Sequence, residues 1–176
     1  MSRRSPGRRR ILLITLSVLV VTVFGIPAGA HARLSYGDRI TTRGLGPVEI
    51  GMTISQASDA VGREIEIQQV NEPCGGGVLS NRFRTSVLTT GDIVTRIYIG
   101  SRAFRTRKNV GIGTSERTLR RRYGRLLVAG RNFYTREPQY EYRRGNRRIV
   151  FDTNKGRVRY ISVGRLPEIL YVEGCL

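Results

Sequence analysis

Histidine, cysteine, tryptophan and lysine are all scarce in this chain of 176 residues. It contains one histidine (His31), two cysteines, no tryptophan, and 2 lysines beside 29 arginines. Acidic residues are few as well, 13 against 31 basic ones, which gives a formal net charge of +18. Any part of the chain without His31 has no imidazole. That excludes a Ser-His-Asp triad, a Cys-His dyad and a histidine-ligated zinc ion from it.

His31 falls in a segment with the order of a secretory signal. Residues 1–10 carry five arginines and no acid, an almost uninterrupted apolar run follows from Ile11 to Pro27, and small residues come next. Ala30-His31-Ala32 fits an A-x-A cleavage site that would make Arg33 the first residue of the exported chain. A cut after Ala30 is a second candidate. We therefore predict a signal peptide at residues 1–32 and an exported domain at residues 33–176.

Removal of the signal changes the chemistry of the chain. Five arginines and no acid leave with it, which takes the net charge from +18 to +13, and His31 leaves too. The protein is expected to be secreted, either extracellular or at the cell surface. The alternative is an uncleaved signal anchor, because the apolar run of 17 is slightly short of the roughly 20 residues that span a bilayer.

An oxidising compartment predicts that Cys74 and Cys175 form a disulfide. That bridge would close a loop of about 100 residues and stabilise the fold by roughly 4–5 kcal/mol in the chain-entropy model. Two unpaired thiols and an intermolecular bridge are the alternatives. The run from Asn71 to Gly77, which contains three consecutive glycines, is predicted to be a loop that gives the disulfide room to form.

Two segments of the chain resemble each other at a spacing of 62 residues. Val48–Thr53 aligns with Val110–Ser115, and a later glycine follows each of them at the same distance. Each copy predicts a short strand, a helix capped by Thr53 or Ser115, and then antiparallel strands. Thr53 with Gln56 is a plausible capping box. The expected fold is α+β: two tandem repeats, each a short helix packed on antiparallel strands, at about 44–104 and 106–172.

The Gly-Met-Thr, helix, glycine pattern, followed by three antiparallel strands, resembles the repeat of β-lactamase inhibitory proteins. It is also similar to the small SmpA-OmlA-like lipoproteins of the outer-membrane barrel-assembly machinery. The closing residues 171–175 and the upstream Cys74 resemble those of small secreted actinobacterial proteins. The resemblance implies a non-catalytic scaffold that binds proteins or envelope components. No inhibitory residue can be transferred to this chain, because the β-lactamase inhibitory proteins have two helices per repeat and this sequence predicts one. The lipidated cysteine of the lipoproteins is also missing.

Arginine clusters are the most prominent candidate sites, because guanidinium groups bind phosphates in bidentate fashion. The competing interpretation is a solvated surface in a proteome that favours arginine over lysine. The candidate anion-binding residues are Arg117, Arg120, Arg121, Arg122, Arg125, Arg143, Arg144, Arg147 and Arg148.

Other chemistry is weakly indicated. Gly111–Ser115 precedes a helix N-terminus that could bind an anion, but the lysine of a phosphate-binding loop is missing, and we interpret the glycines as a turn. Glu137, Glu141 and Asp152 could converge as in a glycoside hydrolase, although balancing arginine charge is the simpler role. We expect no catalytic residue, metal or small-molecule cofactor. The protein is expected to be a monomeric binding module for a protein or an anionic envelope polymer, with a hydrolase as a minor alternative.

Overall fold

The structure is a computed structural model that describes residues 33–172. The predicted signal peptide with its cleavage residues Ala30 and Ala32, and the predicted disulfide partner Cys175, lie outside the described residues.

Strands dominate the described part of the chain and form two sheets. The strands of the small sheet are β1 (Arg39–Ile40), β2 (Gly44–Leu45), β3 (Val48–Glu49) and β8 (Arg105–Thr106). They lie in the order β3-β2-β1-β8, with β1 and β8 parallel and the other pairs antiparallel. The strands of the main sheet are β4 (Ile67–Asn71), β5 (Cys74–Ser80), β6 (Thr85–Thr90), β7 (Ile93–Ile99), β9 (Leu127–Arg131), β10 (Pro138–Arg144), β11 (Arg147–Asn154) and β12 (Arg157–Arg165). This sheet is antiparallel throughout, in the order β4-β5-β6-β7-β12-β11-β10-β9.

Two short α-helices lie within the described residues, α1 (Ile54–Val61) and α2 (Glu116–Tyr123). The capping box of α1 is confirmed: Thr53 Oγ1 accepts from the Gln56 amide at 3.1 Å, and Gln56 Oε1 accepts from the Thr53 amide at 2.9 Å. Ser115 Oγ caps α2 by accepting from the Thr118 amide at 3.2 Å. Single 3₁₀ turns follow at Gly124–Leu126 and Glu168–Leu170.

The expected architecture of two tandem repeats, each a helix on its own strands, is wrong. The protein is mostly β, and β7 pairs with β12, for example at Ile97 and Val163, so eight strands form one continuous sheet. A four-stranded second sheet joins residues from both halves of the chain through the β1–β8 pair. Lateral pairing satisfies backbone groups that two separate sheet edges would leave unpaired. The repeat of similar segments at a spacing of 62 residues does not indicate which distant strands pair with each other.

One face of the main sheet is covered by the hydrophobic core, and the other is only partly covered. Val87, Ile97, Val163 and Ile149 oppose one another in register and belong to the hydrophobic core. Both helices and the small sheet contribute apolar side chains to the same core. The opposite face carries Ser86, Tyr98, Ser162, Val150 and Glu141 in the alternate register. The 3₁₀ turn at Glu168–Leu170 packs on part of this face, where Ser162 and Val150 are buried, and the rest is accessible. We call this opposite face the open face.

The predicted loop at Asn71–Gly77 is largely strand, because β5 begins at Cys74. A Cβ atom at Gly75 would lie 2.5 Å from Ile67 Cγ2, and one at Gly77 would lie 2.7 Å from Ile67 Cδ1. These glycines therefore make room for the Ile67 side chain against the sheet. The glycine run reflects close packing rather than an irregular backbone.

Candidate binding surface on the open sheet face

The open face contains a cleft around Tyr98, which lies on β7 near the centre of the main sheet. Tyr98 has a serine on each side in register, Ser86 on β6 and Ser162 on β12. These small neighbours leave space beside the tyrosine ring, and the resulting cavity measures about 570 Å³. We call it the open-face cleft; its charged and aromatic lining residues are Arg84, Arg96, Tyr98, Tyr134, Asp152, Arg159 and Tyr160.

The turn between β9 and β10 forms one wall of the open-face cleft and is held in place by an asparagine. Asn132 Nδ2 donates to Asp152 Oδ1 at 2.8 Å, and Gln139 Nε2 donates to the same oxygen at 2.7 Å. Asn132 Oδ1 accepts from the amides of Tyr134 and Thr135 at 3.0 and 3.1 Å. The turn is thus anchored to β11, and Asp152 serves as the anchor.

Exposed aromatic rings surround the open-face cleft. Tyr134 and Tyr160, both in its lining, are 56% and 47% exposed, and Phe133 at the adjoining turn is 64% exposed. The rings of Phe133 and Tyr134 meet edge to face with centroids 5.3 Å apart. Large rings held rigidly at the surface are typical of binding sites, because they bury much area at little cost in conformational entropy.

Positive charge predominates in the open-face cleft, where three arginines line the same cavity as one carboxylate. Burial lowers the pKa of Arg96, against the opposing effects of Tyr98 and Asp152. Its guanidinium carbon lies 4.5 Å from the centroid of the Tyr98 ring, and Nη1 donates to the Tyr171 carbonyl at 2.9 Å. Burial also raises the pKa of Tyr98, so its hydroxyl keeps its proton at neutral pH. Arg159 lies over Tyr160 at 5.5 Å.

A second cavity of about 490 Å³ continues along the open face and shares Ser86 and Tyr98 with the open-face cleft. It extends towards β4, where Glu64 and Glu66 join the lining. Gly76 adds no side chain to this part of the surface; a Cβ there would approach nothing closer than Leu88 Cδ2 at 3.6 Å. The combined groove is therefore basic and aromatic at one end, whereas two glutamates and Arg63 line the other.

None of the nine arginines predicted from the sequence lines the open-face cleft. Four of them are exposed on or just after α2 and make no hydrogen bond or ion pair within residues 33–172, namely Arg117, Arg120, Arg121 and Arg125. The five others contact the protein itself. The clustering of arginines along the sequence led to the exposed surface of α2 but not to Arg96 and Tyr98. The signal for these two was their alternation with Ile97 and Ile99 on β7, which places them on the opposite face.

The five engaged arginines each contact a neighbouring group. Arg148 is buried and donates to the carbonyl oxygens of Gly145 and Arg147. Arg143 pairs with Glu141 at 2.9 Å. The other three arginines donate hydrogen bonds as well. Arg122 donates to the carbonyl oxygens of Lys108 and Asn109. Arg144 Nε donates to Tyr142 Oη, and Arg147 donates to the Ile50 carbonyl oxygen.

The N-terminus of α2 is already occupied by the protein. The Glu116 amide donates to the Gly156 carbonyl at 2.9 Å, and the Thr118 amide donates to Ser115 Oγ. Gly113 has a φ of +87°, which suits the turn predicted at Gly111–Ser115. These hydrogen bonds leave little of the helix end for an anion.

Two of the three acidic side chains considered for hydrolysis are also engaged, whereas Glu137 forms hydrogen bonds within residues 33–172 only through its backbone. Glu141 accepts from Arg143, and Asp152 accepts from two amide groups. Among residues 33–172 there is no cluster of three or more histidine, cysteine, aspartate or glutamate side chains that could hold a metal ion. Cys74 is not a free thiol. Its predicted pairing with Cys175 stays a prediction. Within the described range, no helix is long and apolar enough to cross a membrane.

No protein-family model matches the sequence, and no curated protein sequence matches it. Solved structures do resemble it. An extracellular protein containing an SCP domain from Bacillus anthracis has a TM-score of 0.52 at 6% identity, over 69% of this chain and 45% of that one. A cysteine-rich secretory protein from Staphylococcus aureus has a TM-score of 0.50 at 8% identity, over 71% and 47%. The uncharacterized protein yfeY from Escherichia coli has a TM-score of 0.51 at 13% identity, over 72% and 99%.

These similarities concern the fold alone. The matched region is under half the length of the first two proteins and nearly the whole of the third. Two of the three are described as extracellular or secretory proteins, so related folds occur in exported proteins.

Proposed function

We propose that this protein is an exported, non-catalytic binding module that holds an acidic segment of a protein partner in the open-face cleft. The observation that carries the proposal is the convergence of three arginines with exposed tyrosines in one cavity. Tyrosine and arginine, together with tryptophan, are enriched among the side chains that dominate binding energy. An acidic segment would pair with Arg84 and Arg159 while its apolar groups packed on Tyr134 and Tyr160.

Export rests on the order of residues 1–32 and is supported by the extracellular or secretory descriptions of two similar structures. A non-catalytic role is supported by the contacts of the cleft's carboxylate. Asp152 Oδ1 accepts two amide hydrogen bonds that hold the β9–β10 turn, which is a structural task. The disulfide between Cys74 and Cys175 is part of the same proposal.

The test is capture of partner proteins by the immobilised exported chain from culture medium and envelope extract at physiological salt. Tyr160→Ser and Arg159→Gln each remove an exposed cleft side chain and are not expected to alter the fold. We expect each to reduce retention of the captured protein at least tenfold, an effect on the order of a binding hot spot. Arg121→Gln removes the same charge from α2 and should retain the protein as the wild type does. Undiminished retention by both cleft variants would contradict the proposal.

A second candidate function is binding of an anionic polymer or membrane surface. It is favoured by the four exposed arginines on or after α2, which have no hydrogen-bonding partner within the described residues. In that case Arg121→Gln would weaken retention, and binding to anionic vesicles or DNA would fall steeply with added salt. The capture experiment therefore distinguishes the two candidates directly.

A further inference from the structure

A third cavity, away from the open face, lies where the two sheets meet the end of α2. It measures about 370 Å³, within the range of small-molecule sites. β1 contributes Ile40, the segment after β8 contributes Arg107 and Lys108, α2 contributes Tyr123, and β10 contributes Tyr142 and Arg144. We call it the junction pocket.

The floor of the junction pocket is apolar and aromatic. Ile40 and Tyr123 are buried, and Tyr142 is half-buried. The rings of Tyr123 and Tyr142 are tilted by 59° with centroids 5.1 Å apart. Burial raises the pKa of Tyr123, so this ring is neutral at physiological pH. Because Ile40 is 1% and Tyr123 is 5% exposed, a flat or aliphatic group of a ligand would pack chiefly on the ring of Tyr142.

The rim of the junction pocket is basic, and no acidic side chain lines the cavity. Arg144 Nε donates to Tyr142 Oη at 3.0 Å, and nothing else within residues 33–172 pairs with its guanidinium. Arg107 makes no hydrogen bond or ion pair in the same part of the chain. Lys108 Nζ donates to the Arg122 carbonyl at 3.0 Å, which places its charge near the Tyr123 ring, 5.4 Å away. A fourth cation, Arg43, is already paired with Glu49 at 2.8 Å.

We propose that the junction pocket binds a small phosphate monoester whose apolar body lies chiefly against Tyr142. The unpaired guanidinium of Arg107, the free terminal amino groups of Arg144 and a nearby ammonium suit a dianion, and guanidinium matches phosphate oxygens in bidentate fashion. The Tyr142 hydroxyl is a positioning group, because it fixes Arg144 through Nε and leaves the terminal amino groups for the ligand. This site is separate from the open-face cleft and does not depend on the function proposed for it.

Calorimetric titration of the exported protein with phenyl phosphate tests the proposal, with inorganic phosphate and phenol as the two halves of the probe. We expect phenyl phosphate to bind at least tenfold more tightly than either half and more tightly than benzoate. Equal affinity for phenyl phosphate and inorganic phosphate would overturn the role of the aromatic floor. Tighter binding of benzoate would overturn the assignment to phosphate.

Substitutions locate the site. Arg107→Gln and Arg144→Gln should each weaken phenyl phosphate binding about tenfold, the usual effect of losing one charge-assisted contact. Tyr142→Phe should weaken it as well, because it releases Arg144 while keeping the ring. Arg121→Gln, with the same loss of charge outside the pocket, should bind as the wild type does. A loss in Arg121→Gln equal to that in Arg107→Gln would show a general charge effect and overturn the proposal. Unchanged thermal unfolding of each variant confirms that the fold is intact.

Discussion

At the scale of single residues, arginines of one sequence cluster have different roles. Arg148 is 9% exposed, and its guanidinium donates to the carbonyl oxygens of Gly145 and Arg147 at 2.6 and 2.9 Å. Its Nε lies 3.6 Å from a carboxylate oxygen of Glu141. Arg121 is exposed on α2. Arg148 therefore stabilises the turn between β10 and β11, whereas Arg121 is available to solvent or to a ligand.

This difference gives a stability prediction. Arg148→Ala should lower the free energy of unfolding by about 1–3 kcal/mol, because it removes a buried side chain together with its hydrogen bonds to the turn and its ion pair with Glu141. Arg121→Ala should change it by no more than about 0.5 kcal/mol, as is usual for an exposed position. Urea unfolding of the two variants measures both values. Equal stability of the two would show that the contacts of Arg148 contribute nothing.

The residue types of the open-face cleft were visible in the sequence, but their convergence was not. Alternation along β7 separates Arg96 and Tyr98 from the buried Ile97 and Ile99. Charge clustering drew attention to α2 instead, because a run of arginines is conspicuous and isolated ones are not. Burial of Arg148 was equally unpredictable, since it depends on the β10–β11 turn rather than on neighbouring sequence.

At the scale of elements, short sequence motifs predicted the structure correctly where hydrogen bonds between nearby residues determine it. Thr53 and Gln56 cap α1 through contacts between residues three positions apart, so the sequence was sufficient to predict them. The prediction of a loop at the glycines after Cys74 was wrong. Gly75 and Gly77 leave space for the Ile67 side chain on the neighbouring strand, and the pairing of β4 with β5 determines that contact.

Neighbouring glycines of β5 provide a matched test of this packing. A Cβ at Gly77 would lie 2.7 Å from Ile67 Cδ1 and 2.8 Å from the Glu66 carbonyl oxygen, whereas one at Gly76 meets only ordinary contacts from 3.6 Å. Gly77→Ala should therefore lower the free energy of unfolding by about 1–3 kcal/mol. Gly76→Ala should leave it within about 0.5 kcal/mol. If both variants lost stability equally in urea unfolding, close packing would not be the reason for the glycines.

At the scale of the whole molecule, the main sheet separates a fully covered face from a partly accessible one. The covered face holds the hydrophobic core with both helices, and the open face holds the cleft. The sequence predicted short helices and antiparallel strands. It did not predict that β7 and β12 pair across the two halves, and so the expected tandem repeats were wrong. The open-face cleft depends on that pairing, because Tyr98 and Tyr160 come from the two paired strands.

Hydroxyl-radical footprinting of the captured complex shows whether a partner protein covers the open-face cleft, as we claim. Tyr134 and Tyr160 line the cleft, whereas Tyr36 is 70% exposed and lies outside its lining, which makes Tyr36 an internal control. We expect oxidation of Tyr134 and Tyr160 to fall several-fold in the complex while that of Tyr36 is unchanged. Unchanged oxidation of Tyr134 and Tyr160 in a saturated complex would contradict the claim.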